Sequence, residues 1–257
     1  MDILKHNESA WDNYVGKGNQ WTLPVSEKDI ENARKGIWDI VLTPLKAVPK
    51  TWFPKLQHLE ILGLASGGGQ QGPILAALGA KVTIFDSSQK QLQQDQTLSD
   101  HFGLNIKTIK GDMRDLSGLP DQSFNLVFNP CSVVFVDDVK RVWKECFRVL
   151  KPGGVLMTGL INPVLFQLVN HNGEFSLAYN QPYSDLHSIP GEQRDKLIRE
   201  KEALEFGHSL TDQLGGILQE GFVITDLFED YGSSEPGLDE FLPAFIAIRA
   251  VKPLEDL

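Results

Sequence analysis

The sequence contains few cysteines. Only Cys131 and Cys146 occur among 257 residues, and their positions do not match the spacing of metal ligands. Each lies in an apolar stretch, which is typical of a small buried side chain. Two cysteines cannot form a disulfide framework, but a chain of this length can bury a large core. We therefore expect a single domain that needs neither disulfides nor a metal site.

An excess of positive charge is also absent. The chain has 24 Lys and Arg against 34 Asp and Glu, a formal net charge of −10. Proteins that bind nucleic acid neutralise phosphates with Lys and Arg. We therefore expect no nucleic-acid partner, although a small basic pocket for an anionic small molecule would be compatible with this total.

Long apolar runs are missing as well. No uncharged apolar stretch approaches the roughly 18 residues that a membrane span requires. The first ten residues include Asp2, Lys5, His6 and Glu8, which are foreign to the apolar core of a signal peptide. We expect a cytoplasmic protein without membrane contact. The absence of internal repeats excludes a solenoid.

The sequence does show an alternation of apolar runs and amphipathic stretches. Strands are predicted at 58–64, 81–85, 106–109, 124–128 and 155–161, and helices at 73–78, 89–102 and 137–150. Strands that alternate with helices require right-handed crossovers, which place them in a parallel sheet covered on both faces. The pattern therefore predicts an α/β fold.

The C-terminal part has a different pattern. A helix is predicted from Ser209 to Gly221, with a capping box of Ser209 and Asp212 at its start. Two apolar runs follow at 222–228 and 244–251, separated by a turn-rich stretch at 230–237. A helix followed by such a pair predicts that the last two strands are antiparallel.

Two segments lie outside the alternating pattern. Residues 1–57 carry four of the five tryptophans and have helical potential at 26–40, and residues 162–207 interrupt the strand pattern. Both should lie near strand ends, where ligands bind in open α/β sheets. We interpret 1–57 as a helical extension or lid, and 58–257 as the cofactor-binding part with 162–207 as a substrate cap. The tryptophans could equally attach the extension by burial.

A glycine-rich loop follows the first predicted strand. Residues 65–72 read Ala-Ser-Gly-Gly-Gly-Gln-Gln-Gly, and a helix is predicted directly after them. Glycines let a ligand approach the backbone, and the free N–H groups of a following helix favour an anionic group. The spacing Gly67-x-Gly69-x-x-Gly72 matches the dinucleotide fingerprint, a pattern that gains meaning from this strand–turn–helix context.

Polar residues end the following strands. Asp86 lies 17 residues after Gly69, where a carboxylate can accept both hydroxyls of a ribose or cap the next helix. Asp112 can accept from an adenine amino group while Met113 packs on the ring, and Asn129 closes the fourth strand. Because the ends of parallel strands share one edge of a sheet, these groups predict a site for a nucleoside cofactor.

Five motifs carry a resemblance to a known family, in matching order and spacing. Residues 61–69, 82–86, 111–116, 124–130 and 147–154 resemble the motifs of class I S-adenosylmethionine-dependent methyltransferases, with a likeness that covers 59–251. The chain is most similar to bacterial small-molecule members of the methyltransferase 11 type. The resemblance implies a Rossmann-like, seven-stranded, mostly parallel sheet of order 3-2-1-4-5-7-6 with strand 7 antiparallel. It also implies S-adenosylmethionine as cofactor and S-adenosylhomocysteine as product.

The resemblance further implies how the cofactor is held. The loop would contact the methionine end, the second strand end the ribose, the third the adenine, and the fourth the sulfonium side. The implied cofactor-binding residues are Ala65, Ser66, Gly67, Gly69, Asp86, Ser87, Asp112, Met113 and Asn129.

The chain departs from the family pattern twice. Gly63 stands where an acid usually anchors the methionine amino group, and Ala65 replaces the first loop glycine. Gln70, Gln71 or the N-terminal segment could substitute for the missing acid.

The implied reaction is methyl transfer to a small-molecule acceptor. The enzyme mainly positions the acceptor, and a general base is needed only when the acceptor must lose a proton. His171, His187 and His208 are candidate bases, although a lone histidine is more typical of a cap or a surface. The sequence assigns no catalytic residue and does not identify the acceptor or its methylated atom.

Two alternatives stay open from the sequence. The literal glycine fingerprint and Asp86 would also suit a Rossmann-type NAD(P)-dependent oxidoreductase, although the chain has no Tyr-x-x-x-Lys pair. The missing acid at Gly63 would suit a non-catalytic protein that binds a nucleoside cofactor. The candidate assembly is a homodimer.

Overall fold

The structure is a computed structural model that describes residues 1–233 and 237–254. Residues 234–236 of the predicted turn at 230–237, and the last three residues of the predicted 58–257 unit, lie outside the described residues.

Seven of the described strands form one central sheet. Its order is β3-β2-β1-β4-β5-β11-β10, and β11 runs antiparallel to the other six strands. This confirms the predicted order, with β10 and β11 as predicted strands 6 and 7. In chain order the described strands are β1 Glu60–Leu64, β2 Lys81–Asp86, β3 Ile106–Lys110, β4 Phe124–Asn129, β5 Leu150–Ile161, β6 Leu168–His171, β7 Glu174–Leu177, β8 Tyr183–Ser184, β9 Phe206–Gly207, β10 Val223–Asp230 and β11 Phe245–Val251.

Helices cover both faces of the sheet. The described α-helices are α1 Ile3–Lys17, α2 Glu27–Arg34, α3 Gln71–Ala77, α4 Gln89–Phe102, α5 Val139–Val149, α6 Gly191–Glu200 and α7 Gly216–Gln219. Helix α5 could be predicted from the sequence because its valines, Trp143 and Cys146 form one buried apolar stripe. Asp138 caps its first turn. Among the described residues, no helix is long and apolar enough to cross a membrane.

Three elements differ from the sequence prediction. Helix α1 was not predicted, because its buried face holds only Asn7 and Ala10 and carries almost no apolar signal. Strand β5 begins at Leu150, so the residues predicted to separate helix from strand belong to the strand. The C-terminal helix starts as a π-helical turn, Thr211–Gly215, before it continues as α7.

The second half of the N-terminal segment belongs to the core. Ile40, Leu42, Val48 and Trp52 are buried in one cluster with residues of β1, β2, β4 and α3. The opposite face of the sheet packs against α5. Burial therefore attaches this half, whereas α1 lies over the edge of the sheet where the strands end.

Strand register brings the predicted site together. Leu64 of β1 pairs with Phe85 of β2, and Gly63 pairs with Phe128 of β4. The residues that follow each pair, Ala65, Asp86 and Asn129, therefore meet at one edge of the sheet.

Candidate active site

A cavity of about 770 Å³ opens at this edge, within the size range of small-molecule sites. We call its sheet side the floor: residues 65–67, 86–87 and 111–114, which line the cavity, together with Gly63, Gly68, Gly69 and Asp95, which pack directly beneath them. The roof consists of α1 and residues 202–205. Seven of the nine predicted cofactor residues line the cavity, whereas Gly69 and Asn129 do not: the seven are Ala65, Ser66, Gly67, Asp86, Ser87, Asp112 and Met113.

Asp86 is buried at the end of β2, and both of its carboxylate oxygens accept hydrogen bonds within the protein. One carboxylate oxygen accepts from the Gly67 N–H at 3.0 Å, and the other accepts from the Ser88 N–H at 2.9 Å. Burial raises the pKa of the carboxyl, while the backbone hydrogen bonds oppose that rise. A carboxylate has about four acceptor positions, so Asp86 can join the loop to the start of α4 and still accept from a ligand.

Asp95 on α4 also holds the loop, and it was not among the residues predicted from the sequence. Its Oδ2 accepts from the N–H groups of Gly68 at 2.9 Å and Gly69 at 3.1 Å. Burial raises the pKa of this carboxyl to about 7. The sequence could have indicated that Asp95 is buried, because its spacing places it on the same face of α4 as Leu92 and Ser99, which are also buried.

The glycines of the loop are required by this packing. A Cβ on Gly67 would lie 2.8 Å from the Gln91 Cβ, and one on Gly68 would lie 2.7 Å from the Gln91 Oε1. Such distances are shorter than real Cβ contacts. The loop therefore lies directly on α4, with its other side exposed to the cavity.

Gly63 has a local explanation. A Cβ at this position would lie 2.5 Å from the Ser66 Oγ and 2.6 Å from the Ile84 Cδ1. The Ser66 side chain thus occupies the space of the usual acid. Its Oγ is buried and has no hydrogen-bond partner among the described residues. An unpartnered hydroxyl in the cavity wall fits a polar ligand group, so the residues present fit the methionine end of S-adenosylmethionine.

The other substitutes considered for the missing acid have different positions. Gln70 donates to the carbonyls of Gln20 and Leu23, so it joins the loop to the N-terminal segment. Gln71 is buried in the first turn of α3 and also lines the cavity.

Ala65 adopts a backbone conformation that favours glycine. Its φ is +45°, in the left-handed region that costs an L-residue about 1–2 kcal/mol. Its N–H donates to the Phe85 carbonyl at 2.7 Å, which holds it there.

Asp112 is paired with a neighbour in the floor. The Arg114 guanidinium donates to both of its carboxylate oxygens, with contacts of 3.0, 3.0 and 2.7 Å, and also pairs with Asp137. These acids raise the pKa of Arg114, first of all through the hydrogen bonds that Arg114 donates to Asp112. The Asp112–Arg114 pair lies beside Met113, at the position predicted for the adenine.

Asn129 uses its side chain within the protein. Its Nδ2 donates to the Leu64 carbonyl at 2.8 Å and to the Ser132 Oγ at 2.7 Å, and its Oδ1 accepts from Thr158 at 2.9 Å. These bonds tie β1, β4 and β5 together and fix Ser132, which does line the cavity.

The roof is joined across most of the chain. Asn7 of α1 donates to the carbonyls of Phe135 at 2.9 Å and Leu204 at 3.0 Å, and accepts from the Leu204 N–H at 2.8 Å. Tyr14 donates to Glu202 at 2.5 Å and accepts from the Ala203 N–H at 2.9 Å. No sequence pattern indicates these contacts, because they join residues 128 to 197 positions apart.

The tryptophans divide between two roles. Trp11 packs edge-on against Tyr14 and Phe135 and lines the cavity, as does the half-exposed Trp21. Trp52 is buried and donates to Asp226 at 2.8 Å. Trp11 and Trp21 therefore line the cavity, Trp52 attaches its segment by burial, and the role of the first two in a lid stays a prediction.

The candidate histidines lie away from the cavity. His171 and His187 are exposed, and His208 is buried with its Nε2 against the carbonyls of Val133 and Val136. Burial lowers the pKa of His208. None of the six histidines, all within the described residues, lines the cavity.

The two cysteines differ in position. Cys146 is buried in the core, whereas Cys131 lies half-buried in the cavity wall. Burial raises the pKa of the Cys131 thiol, which keeps it protonated. In the part of the chain that the structure describes, no cluster of three metal-ligating side chains occurs.

Comparisons with known proteins agree with this geometry. The sequence profile of the Methyltransf_11 family, a methyltransferase domain, matches residues 62–158. The uncharacterised methyltransferase YbaJ of Bacillus subtilis (strain 168) is 47% identical over 97% of this chain and 98% of its own length. The chain belongs to the class I S-adenosylmethionine-dependent methyltransferases. Neither the oxidoreductase nor the non-catalytic alternative is supported.

Solved structures of this family share the fold. An S-adenosylmethionine-dependent methyltransferase from Mesorhizobium loti superposes with a TM-score of 0.63 at 21% identity, covering 79% of this chain and 94% of that chain. A second, putative one from Listeria monocytogenes gives a TM-score of 0.59 at 16% identity, with coverages of 79% and 94%. At these identities the likeness supports the fold alone, and the chain's enzymatic class follows from the sequence relatives.

Proposed function

We propose that this methyltransferase acts on a small-molecule acceptor that enters the cavity between floor and roof. The main support for the proposal is the cavity itself, because its volume of about 770 Å³ lies between the roof and the residues suited to the cofactor. Its walls include several aromatic rings, which suit an acceptor with apolar surface.

In this proposal the floor binds the cofactor. The loop residues Ala65, Ser66 and Gly67 hold the methionine end, and Asp86 accepts from the ribose with Ser87 beside it. Asp112 and Met113 hold the adenine. Gly69 and Asn129 contribute by fixing the loop and Ser132. When bound, S-adenosylmethionine supplies an activated methyl group, and the chain's own residues orient the acceptor and exclude water.

The same proposal assigns roles to the two segments outside the alternating pattern. Residues 1–57 form a helical extension whose first helix acts as a lid, and residues 162–207 act as a substrate cap within a single domain. The hydrogen bonds of Asn7 and Tyr14 to residues 202–204 support this joint closure. A cytoplasmic location, the absence of nucleic-acid and membrane partners, and a homodimer stay predictions.

Calorimetric titration with S-adenosylhomocysteine tests the floor. Wild-type protein should bind this product but not NADH, and Asp86→Ala should weaken its affinity at least tenfold, about 1.4 kcal/mol. Asp86→Asn, which keeps an acceptor oxygen, separates loss of the ribose contact from disturbance of the loop and should also bind more weakly. Asp100→Ala, an exposed acid on α4, is the control. Unchanged affinity in both Asp86 variants would contradict the ribose assignment.

A further inference from the structure

The roof supplies an acid that the cofactor does not need. Glu205 lines the cavity together with the rings of Phe135, Phe166 and Phe175. It lies in the chain between Leu204, which Asn7 holds, and Phe206, which pairs with Ser184 in the β8–β9 ladder. Its own N–H donates to Asp185 at 2.7 Å. The backbone of Glu205 is therefore fixed on both sides.

The Glu205 carboxylate differs from the other acids of the cavity. Asp86 accepts from backbone N–H groups, Asp112 from Arg114 and Glu202 from Tyr14. The Glu205 carboxylate accepts no hydrogen bond from any residue in the described ranges, and this partly buried residue lines the cavity. Among the acids of the described cavity lining, Glu205 is the one whose carboxylate has no hydrogen-bond partner in the protein.

The charges around Glu205 are acidic. Asp185 lies next to it and carries a like charge. Burial, and to a smaller extent this like charge, raises the pKa of Glu205 to about 7. Arg114 is the one Lys or Arg among the described residues that line the cavity, and it is already paired with Asp112 and Asp137. No cation therefore compensates Glu205, and an anionic acceptor would meet an unshielded negative group.

Phe166 places Glu205 on the acceptor side. Phe166 stacks on Tyr183 of β8 with ring centroids 5.2 Å apart, and a Cβ on Gly207 would lie 2.7 Å from its ring. Both neighbours belong to the short β8–β9 ladder, whose second strand begins directly after Glu205. Phe166 also lies just beyond the end of β5, at Ile161, whereas the cofactor residues follow β1, β2 and β3.

We propose that Glu205 is the general base of the acceptor site. The acceptor is then a ring-bearing, apolar molecule whose nucleophile must lose a proton, a hydroxyl or a protonated amine, and which has no anionic group. This inference rests on the proposed small-molecule function and specifies its substrate class.

The proton and electron balance is closed within the two substrates and this side chain. The Glu205 carboxylate takes the proton of the acceptor's O–H or N–H bond. The acceptor's electron pair forms the bond to the methyl carbon, while the carbon–sulfur bond breaks and leaves its pair on sulfur. The neutral carboxylic acid later returns its proton to water. A base of this kind contributes about 10²–10⁴-fold to a rate, most effectively with a pKa near the working pH.

Binding of three matched naphthalenes tests the inference without turnover. 2-Naphthol, 2-(aminomethyl)naphthalene and 2-naphthoate are titrated into protein saturated with S-adenosylhomocysteine at pH 8. Wild-type protein should bind the hydroxyl and amine compounds at least tenfold more tightly than the carboxylate. Glu205→Gln should lose most of this discrimination, because the variant has no charge to repel the carboxylate. Glu200→Gln, an exposed acid on α6, should retain it.

Turnover gives the second measurement. With S-adenosylmethionine, kcat/KM for the hydroxyl or amine compound should rise with pH through about 7 in the wild type. Glu205→Gln should be at least 100-fold slower and lack this rise. An unchanged discrimination, or equal rates in both proteins, would overturn the role of Glu205. Transfer to neither bound compound would overturn the acceptor class. Failure of all three compounds to bind the complex would instead contradict the small-molecule proposal.

Discussion

The floor and the roof of the cavity are built in different ways. In the floor, buried acids accept from backbone N–H groups 19 to 27 residues away, as Asp86 does from Gly67 and Asp95 from Gly68. In the roof, α1 reaches residues 188 to 197 positions away through Asn7 and Tyr14. The floor is thus set by local loop packing and the roof by long-range contacts. The difference suits a rigid cofactor site beneath a cover specific to the acceptor.

The floor should reject the acid that most family members have at Gly63. Gly63→Asp would place a Cβ and a charge against Ser66 and Ile84, both buried, and should lower the free energy of unfolding by about 3 kcal/mol. Urea denaturation measures this loss. Adding Ser66→Gly to the variant frees the space and should recover part of the stability. A stable single variant would show that the floor is less tightly packed than described.

The roof should loosen without disturbing the floor when its central contact is removed. Asn7→Ala leaves three backbone groups of Phe135 and Leu204 without partners, which should cost about 2 kcal/mol. Amide hydrogen exchange should increase in α1 and at 203–205, while the glycine loop stays protected. Ser9→Ala, exposed on the same helix, is the control. Equal loss of protection in the loop would mean that roof and floor unfold as one unit.

The pH dependence of stability should identify the acid beneath the loop. The folded-state pKa of Asp95, about 7, lies above its ordinary value of 3.8, so the folded protein binds more protons than the unfolded chain between these values. Stability contributed by this group is therefore present at low pH and is lost as pH rises from about 4 to 7, with a slope of up to about 1.4 kcal/mol per pH unit.

Asp95→Asn provides the comparison for that slope. The amide oxygen can still accept from Gly68 and Gly69, but it does not titrate. Denaturation at a series of pH values should show a smaller decrease for the variant than for the wild type. The contributions of Asp86 and Glu205, whose pKa values are also raised, should persist in both proteins. Parallel curves would contradict the assignment to Asp95.

The smallest expected effect concerns a strained residue in the floor. Ala65→Gly relieves the left-handed conformation at φ +45° but adds backbone entropy to the unfolded chain. The balance should be a gain of about 0.5 kcal/mol in the free energy of unfolding. Ala76→Gly, within helix α3, should instead cost about 1 kcal/mol. Destabilisation by both changes would mean that the alanine methyl group contributes packing that outweighs the strain.

The sequence predicted the sheet and most of the floor for one physical reason. Apolar periodicity, caps and glycines act over a few residues, so they located α4 at residues 89–102 and the strand ends at Asp86 and Asn129. Register then brought those ends together, as parallel pairing requires.

The rest could not be predicted because it depends on contacts between distant segments. Helix α1 has too little apolar surface to give a pattern, and its polar Asn7 finds its partners only in the folded chain. The positions of Asp95 beneath the loop and Glu205 in the roof depend on tertiary packing as well. The histidines were candidates by residue type alone, and none lies at the cavity.

A crystal structure with S-adenosylhomocysteine bound would show whether the floor holds the cofactor. The ribose hydroxyls should lie within hydrogen-bond distance of Asp86, the adenine beside Met113, and the methionine end against Ser66. The sulfur should face the part of the cavity that Phe166 and Glu205 line. A ligand whose ribose lies away from Asp86 would show that the floor does not bind the cofactor in this way, and a sulfur that faces away from the roof would rule out the acceptor site beneath it.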